Sequence, residues 1–167
     1  MRLVLIRHAD AGDADPEPYP DDRLRPLTPD GRREHRRIAQ GLARMGLALT
    51  HLLTSPLARA RETAQITAEA LSWSGEIELV DVLGDQFSVA GLLDHLKRYA
   101  EDASVACVGR EPHLSQFAAT LLDLDGAPRI ALSKSGVIGL ECAGRPGPGA
   151  GRLLFLLPPR ELLRLLD

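Results

Sequence analysis

Three places in the chain put basic or imidazole side chains just where an apolar run gives way to a helix start. They are Arg7-His8, Arg59 shortly after Ser55-Pro56, and Arg110 with His113 after Gly109. Several guanidinium groups around one imidazole suit a dianionic phosphoryl group, because the guanidinium fork matches phosphate oxygens. A neutral histidine nitrogen can attack phosphorus and hold the group covalently, splitting one displacement into two. Phosphoryl transfer depends on positioning and charge stabilisation, which arginines supply without a metal. No metal-ligand spacing such as H-E-x-x-H is present, and no G-x-x-x-x-G-K-[ST] run for a P-loop. A cysteine phosphatase needs Arg six residues after its Cys, but His113 follows Cys107 and Pro148 follows Cys142 at that spacing.

These groups need elements to hold them. Leu3-Val4-Leu5-Ile6 reads as a strand buried on both faces, which ends by delivering Arg7 and His8. Leu49 to Thr54 and Ser104 to Val108 are the strands before the other two places. If all three run parallel, their ends share one edge of the sheet, where open α/β sheets bind ligands and helix N-termini favour anions.

Between the first two strands, residues 10–22 carry six acids, no bases and three prolines, so Asp10 to Leu27 reads as a long irregular loop. A loop of that length is either a lid or a tolerated insertion. Thr28-Pro29-Asp30 then opens a helix as N-cap, first-turn proline and acid at the positive dipole end. His35, Ile38, Leu42 and Met45 form its apolar stripe and Gly46 its stop, which makes His35 a packed histidine. Ser55-Pro56 repeats the cap-plus-proline signature, with Leu57, Ala60, Ala64, Thr67 and Leu71 facing inward.

Ile77 to Val80 is a weaker strand, and Leu92, Leu93, Leu96 and Tyr99 mark another helix. Pro112 begins a helix with Leu114, Phe117, Ala118, Leu121 and Leu122 inward. Gly136 to Cys142 and Arg152 to Leu157 read as a hairpin across a Gly/Pro-rich turn, followed by a terminal helix from Glu161 to Leu166. The order predicts a three-layer α/β/α sandwich with a mainly parallel central sheet and a single domain over residues 1–167.

Composition sets the outer limits. A net charge of −3 gives no reason to expect nucleic acid or an anionic membrane, and 4% aromatics provide few stacking platforms. The 18 Arg against 2 Lys reflect overall sequence bias at most positions. Cys107 and Cys142 sit in apolar runs and read as reduced core residues. With no signal segment and no long apolar run, the expectation is a cytoplasmic protein, and a monomer.

On L-I-R-H-A (5–9), R-P-L-T-P-D-G (25–31), S-P-L-A-R-A-R-E-T-A (55–64), V-G-R-E-P-H-L-S (108–115) and K-S-G-V (134–137), the chain resembles the histidine phosphatase superfamily. Within it, the short SixA-type phosphohistidine phosphatases are most similar. The resemblance implies a phosphoglycerate mutase-like fold and metal-independent turnover with no cofactor. It makes His8 the phosphorylated nucleophile, Arg7 and Arg59 phosphate ligands, and Arg25 a further substrate-binding residue. The implied partner is a phosphohistidine protein or a small phosphorylated substrate.

The chain departs from the family pattern at V-G-H, where Arg110 replaces a second histidine that touches the phosphate. Arginine can clamp phosphoryl oxygens but cannot exchange a proton near neutral pH. His113, three residues on, is either its replacement in the substrate site or a surface histidine at a helix start. Asp81 and Asp85 lie where phosphomonoesterase branches carry a general acid, but in no recognisable motif; Asp10 and Asp13 are equally unsupported. The competing reading is a phosphate-binding pseudophosphatase whose catalysis is reduced or lost through Arg110.

Overall fold

The structure, a computed structural model, describes residues 1–124 and 130–164. Its strands are β1 (Arg2–Arg7), β2 (His51–Thr54), β3 (Ile77–Leu79), β4 (Ser104–Gly109), β5 (Val137–Cys142) and β6 (Gly151–Leu157). Its helices are α1 (Pro29–Arg44), α2 (Ala58–Ala70), α3 (Val89–Leu96), α4 (His113–Leu121) and α5 (Pro159–Arg164). The strands form one sheet in the order β3-β2-β4-β1-β5-β6. β3, β2, β4 and β1 pair parallel; β5 runs against β1, and β6 returns antiparallel to β5. This is the three-layer, mainly parallel α/β sandwich that the order of elements predicts.

The unbroken apolar run of β1 follows from its central place. Leu3 and Leu5 point to the face covered by α3 and α4, while Val4 and Ile6 meet the residues of α1, α2 and α5. Alternate side chains of a strand leave opposite faces, so both sets are buried only if both faces are covered. Val105 and Cys107 of β4 likewise join the first face, and Ala106 and Val108 the second. Each fully buried Leu or Ile contributes about 1.5–3 kcal/mol over an exposed one.

Several local expectations shift. The helix after Ser55-Pro56 starts at Ala58, with Leu57 as N-cap and no side-chain cap bond. Ser55 is still held by the sheet through its N–H to the Val108 carbonyl (2.9 Å), while its hydroxyl accepts from Leu57 N–H (3.3 Å). Met45 is exposed because α1 ends at Arg44, which makes Met45 the C-cap instead of the last member of the stripe. Tyr99 lies beyond the end of α3 but packs against the core from there. The second strand is shorter than 49–54, and the long loop contains a 3-10 turn at Asp22–Leu24. The expected terminal helix runs over Pro159–Arg164, and its continuation to Leu166 lies outside the described residues. Among the described residues no helix is long and apolar enough to cross a membrane.

Candidate active site

The ends of β1, β2 and β4 converge by register. Arg7 stands opposite Gly109, and Thr54 opposite Val108. One residue further, His8 N–H donates to the Gly109 carbonyl at 2.9 Å. The turn before β5 closes the other side. Arg7 N–H donates to Gly136 O (3.0 Å), and Ser135 N–H lies 3.2 Å from the carbonyls of both Arg7 and His8.

His8 is buried, with its Nδ1 2.8 Å from the carbonyl oxygen of Ala9. A carbonyl only accepts, so Nδ1 carries the proton and Nε2 keeps its lone pair. Burial pushes the His8 pKa down to about 4. Arg59, Arg7 and Arg25 add to that direction, while the Ala9 hydrogen bond opposes it. The ring is therefore neutral at physiological pH, with Nε2 as its available nucleophilic atom.

The arginines differ in how they are committed. Arg7 donates from Nη1 to the Leu132 carbonyl at 2.6 Å. Arg59, 4% exposed, donates from Nη1 to the Asp22 carbonyl (2.8 Å) and pairs through Nη2 with the Asp22 carboxylate (3.1 Å). The Nε–H groups of both Arg7 and Arg59 are buried without a hydrogen-bond partner among the described residues. Arg25 is more fully engaged: its Nε donates to Asp22 Oδ1 (2.7 Å), and its Nη1 to the carbonyls of Ala11 (2.7 Å) and Gly12 (2.6 Å). It clasps the long loop while its charge still reaches His8.

The far wall carries Arg110 and His113. Arg110 Nη1 lies 3.6 Å from Asp85 Oδ1, and its charge adds to burial in lowering the pKa of both Arg59 and His113. His113 is half-buried, not a free surface residue. Its ring stacks on Phe87 (centroids 4.3 Å apart, planes 6° apart), and its Nδ1 is buried with no partner among the described residues. Burial first, then Arg110, holds its pKa below the ordinary histidine value, against the pull of Asp85. Of the other carboxylates considered, Asp10 pairs with Lys134 and accepts from the Thr28 hydroxyl (3.1 Å). The Cys107 thiol is pushed up to about 12 by burial, which leaves it unreactive.

A supporting layer lies behind these groups, in which packed His35 and inward-facing Thr67 were expected but their hydrogen-bond partners were not. Ala9 N–H donates to Thr63 Oγ1 (3.0 Å), and that hydroxyl donates to the Arg59 carbonyl (2.6 Å), tying the residue after His8 to the helix that carries Arg59. Beneath them lies fully buried His35. Thr67 spends its proton on the Thr63 carbonyl (2.9 Å), so it accepts from His35 Nε2 (2.9 Å); His35 Nδ1 then accepts from Ser135 (3.1 Å). Thr63 and Ser135 lie within the quoted motif pieces, so a signal existed for them. Asp22 sat unmarked in an acidic loop.

This sheet, with its strand-end histidine and arginines, defines a class. Residues 3–87 match the histidine phosphatase superfamily (branch 1), and the chain belongs to that family. It is SixA-like within it. An uncharacterized protein of Picosynechococcus is 36% identical over 98% of this chain and 99% of its own length. Phosphohistidine phosphatase SixA of Escherichia coli is 28% identical over 86% of this chain and 88% of its own. The structure of the protein histidine phosphatase SixA complexed with tungstate superposes with a TM-score of 0.82 at 24% identity. It covers 97% of this chain and 99% of that one, which establishes the shared fold.

Proposed function

We propose that this chain, acting as one domain, is a phosphatase that works through a phosphohistidine intermediate on His8. The observation that carries the reading is an imidazole that burial keeps neutral, its Nδ1 bonded to the Ala9 carbonyl, within the field of Arg59 and Arg7, whose buried Nε–H groups lack a partner among the described residues. Nε2 attacks phosphorus, and the bond to the leaving group breaks as the N–P bond forms. Arg7 and Arg59 donate to the phosphoryl oxygens, with Arg110 facing them across the site. Water then cleaves the N–P bond, returning neutral His8 and inorganic phosphate. SixA was solved with tungstate, a tetrahedral oxyanion shaped like phosphate, which supports a phosphoryl site in the shared fold.

The substrate is a phosphohistidine protein or a small phosphoester. No carboxylic acid stands in a recognisable general-acid motif, which favours a leaving group that departs readily, as neutral imidazole does. In the test, the protein is mixed with a radiolabelled phosphohistidine protein and quenched. The wild type acquires transient label on His8, and His8→Ala shows neither label nor turnover; retained turnover in that variant overturns the assignment.

A second reading, a phosphate-binding pseudophosphatase, is favoured by Arg110 standing in the second-histidine position and facing Asp85. Arg110→His separates the two. A large gain in rate supports impaired catalysis in the natural chain, whereas a loss marks Arg110 as an adapted part of the site.

A further inference from the structure

The carboxylate of Asp22 sits between two arginines of the proposed phosphate pocket. One oxygen accepts from Arg25 Nε (2.7 Å) and the other lies 3.1 Å from Arg59 Nη2, while the Asp22 carbonyl accepts from Arg59 Nη1 (2.8 Å). Asp22 therefore engages both terminal nitrogens of a guanidinium that is only 4% exposed, while its Nε–H has no partner among the described residues. We propose that Asp22 is a counter-anion built into the site, competing with inorganic phosphate for Arg59 and so setting how tightly the pocket retains that product.

This rests on the reading of Arg7, His8 and Arg59 as the phosphoryl site, and the physical argument is direct. Arg59, buried without a neighbouring anion, would carry a large desolvation cost, which Asp22 offsets. The same carboxylate stands one guanidinium width from any phosphate oxygen bound at Nε. Like charges so close, in a medium less polarisable than water, repel strongly. A pocket of several arginines without that carboxylate would hold the dianionic product too long, because release of inorganic phosphate is the last step of each cycle. The side chain of Asp22 is itself half-exposed on the 3-10 turn, so its charge can change without opening the core.

The experiment is titration of inorganic phosphate and of tungstate into the full chain by calorimetry. Asp22→Asn keeps an acceptor for Arg25 and removes the charge. Asp21→Asn is the control, since among the described residues the Asp21 carboxylate pairs only with exposed Arg23. Asp22→Asn is expected to bind both anions roughly ten-fold tighter, with Asp21→Asn unchanged. Asp22→Ala, a second variant with the charge removed, is expected to shift the same way. Unchanged or weaker binding in folded Asp22→Asn and Asp22→Ala overturns the proposal, because loss of a purely supporting residue loosens a site. If neither anion binds the wild type or the Asp22 variants, the phosphoryl-site reading fails and takes this inference with it. Binding requires no turnover, so the experiment also stands under the pseudophosphatase reading.

Discussion

His8 owes its chemistry to two neighbours of different kinds. The Ala9 carbonyl selects the tautomer, and burial keeps the ring neutral to about pH 4. The ring signals of His8 in an NMR titration are therefore expected to change near pH 4, well below the ordinary histidine value; a midpoint near 6.5 would refute the burial argument. Thr63 is the next residue at this scale. Thr63→Val keeps the shape but leaves Ala9 N–H without its acceptor. It is expected to lower stability by about 1–3 kcal/mol in denaturant melts. Turnover should fall too, because the peptide after His8 loses its tie to α2. Arg7→Lys retains charge but gathers its donors on one nitrogen, losing the planar fork in which Nη1 holds Leu132 O while Nε–H is left for a ligand, so phosphate affinity should drop at least several-fold.

The start of α1 holds the loop that follows His8. The Thr28 hydroxyl caps Gly31 N–H (2.9 Å) and also donates to the Asp10 carboxylate, while Thr28 N–H donates to the Asp10 carbonyl (2.9 Å). Residues 10 and 28 thus clasp, and the irregular segment between them is closed at its base. Gly31 is needed for a steric reason: a Cβ there would fall on the Asp10 carbonyl oxygen. Gly31→Ala is expected to push the 8–11 segment off the helix, seen as a lower melting temperature and as lost turnover together. Thr28→Ala, which removes the cap without adding bulk, should cost about 1–2 kcal/mol in stability.

For the molecule as a whole, two buried neutral histidines make stability depend on pH. His8 and His35 both have pKa values pushed down to about 4 by burial, against the ordinary 6.5. Above 6.5 neither state binds the proton and there is no effect. Between 6.5 and 4 the unfolded chain takes up protons that the native state refuses, so stability falls as pH falls and levels off below 4. The loss amounts to about 3 kcal/mol per histidine. Thermal melts across that range should show the decline, and His35→Gln should flatten it while lowering the plateau at neutral pH through its imperfect fit between Ser135 and Thr67. An unchanged slope in that variant would place the acid sensitivity elsewhere.

Much of this architecture was written into local patterns. The doubly buried β1, the amphipathic stripes and the cap-and-proline start of α1 follow from side-chain period and backbone preference, which act over a few residues. The same short-range logic brings Arg7-His8, Arg59, Arg110 and His113 to strand ends, and a parallel order then puts those ends on one edge. Partner choice lies beyond such patterns, because it depends on which distant groups the fold brings within hydrogen-bond reach. Nothing local to Asp22 announces Arg59, 37 residues away, and nothing near Ser135 announces His35, 100 residues away. Tertiary structure alone decided which guanidinium nitrogens are already taken, which remain free, and that the His8 ring is buried enough to stay uncharged.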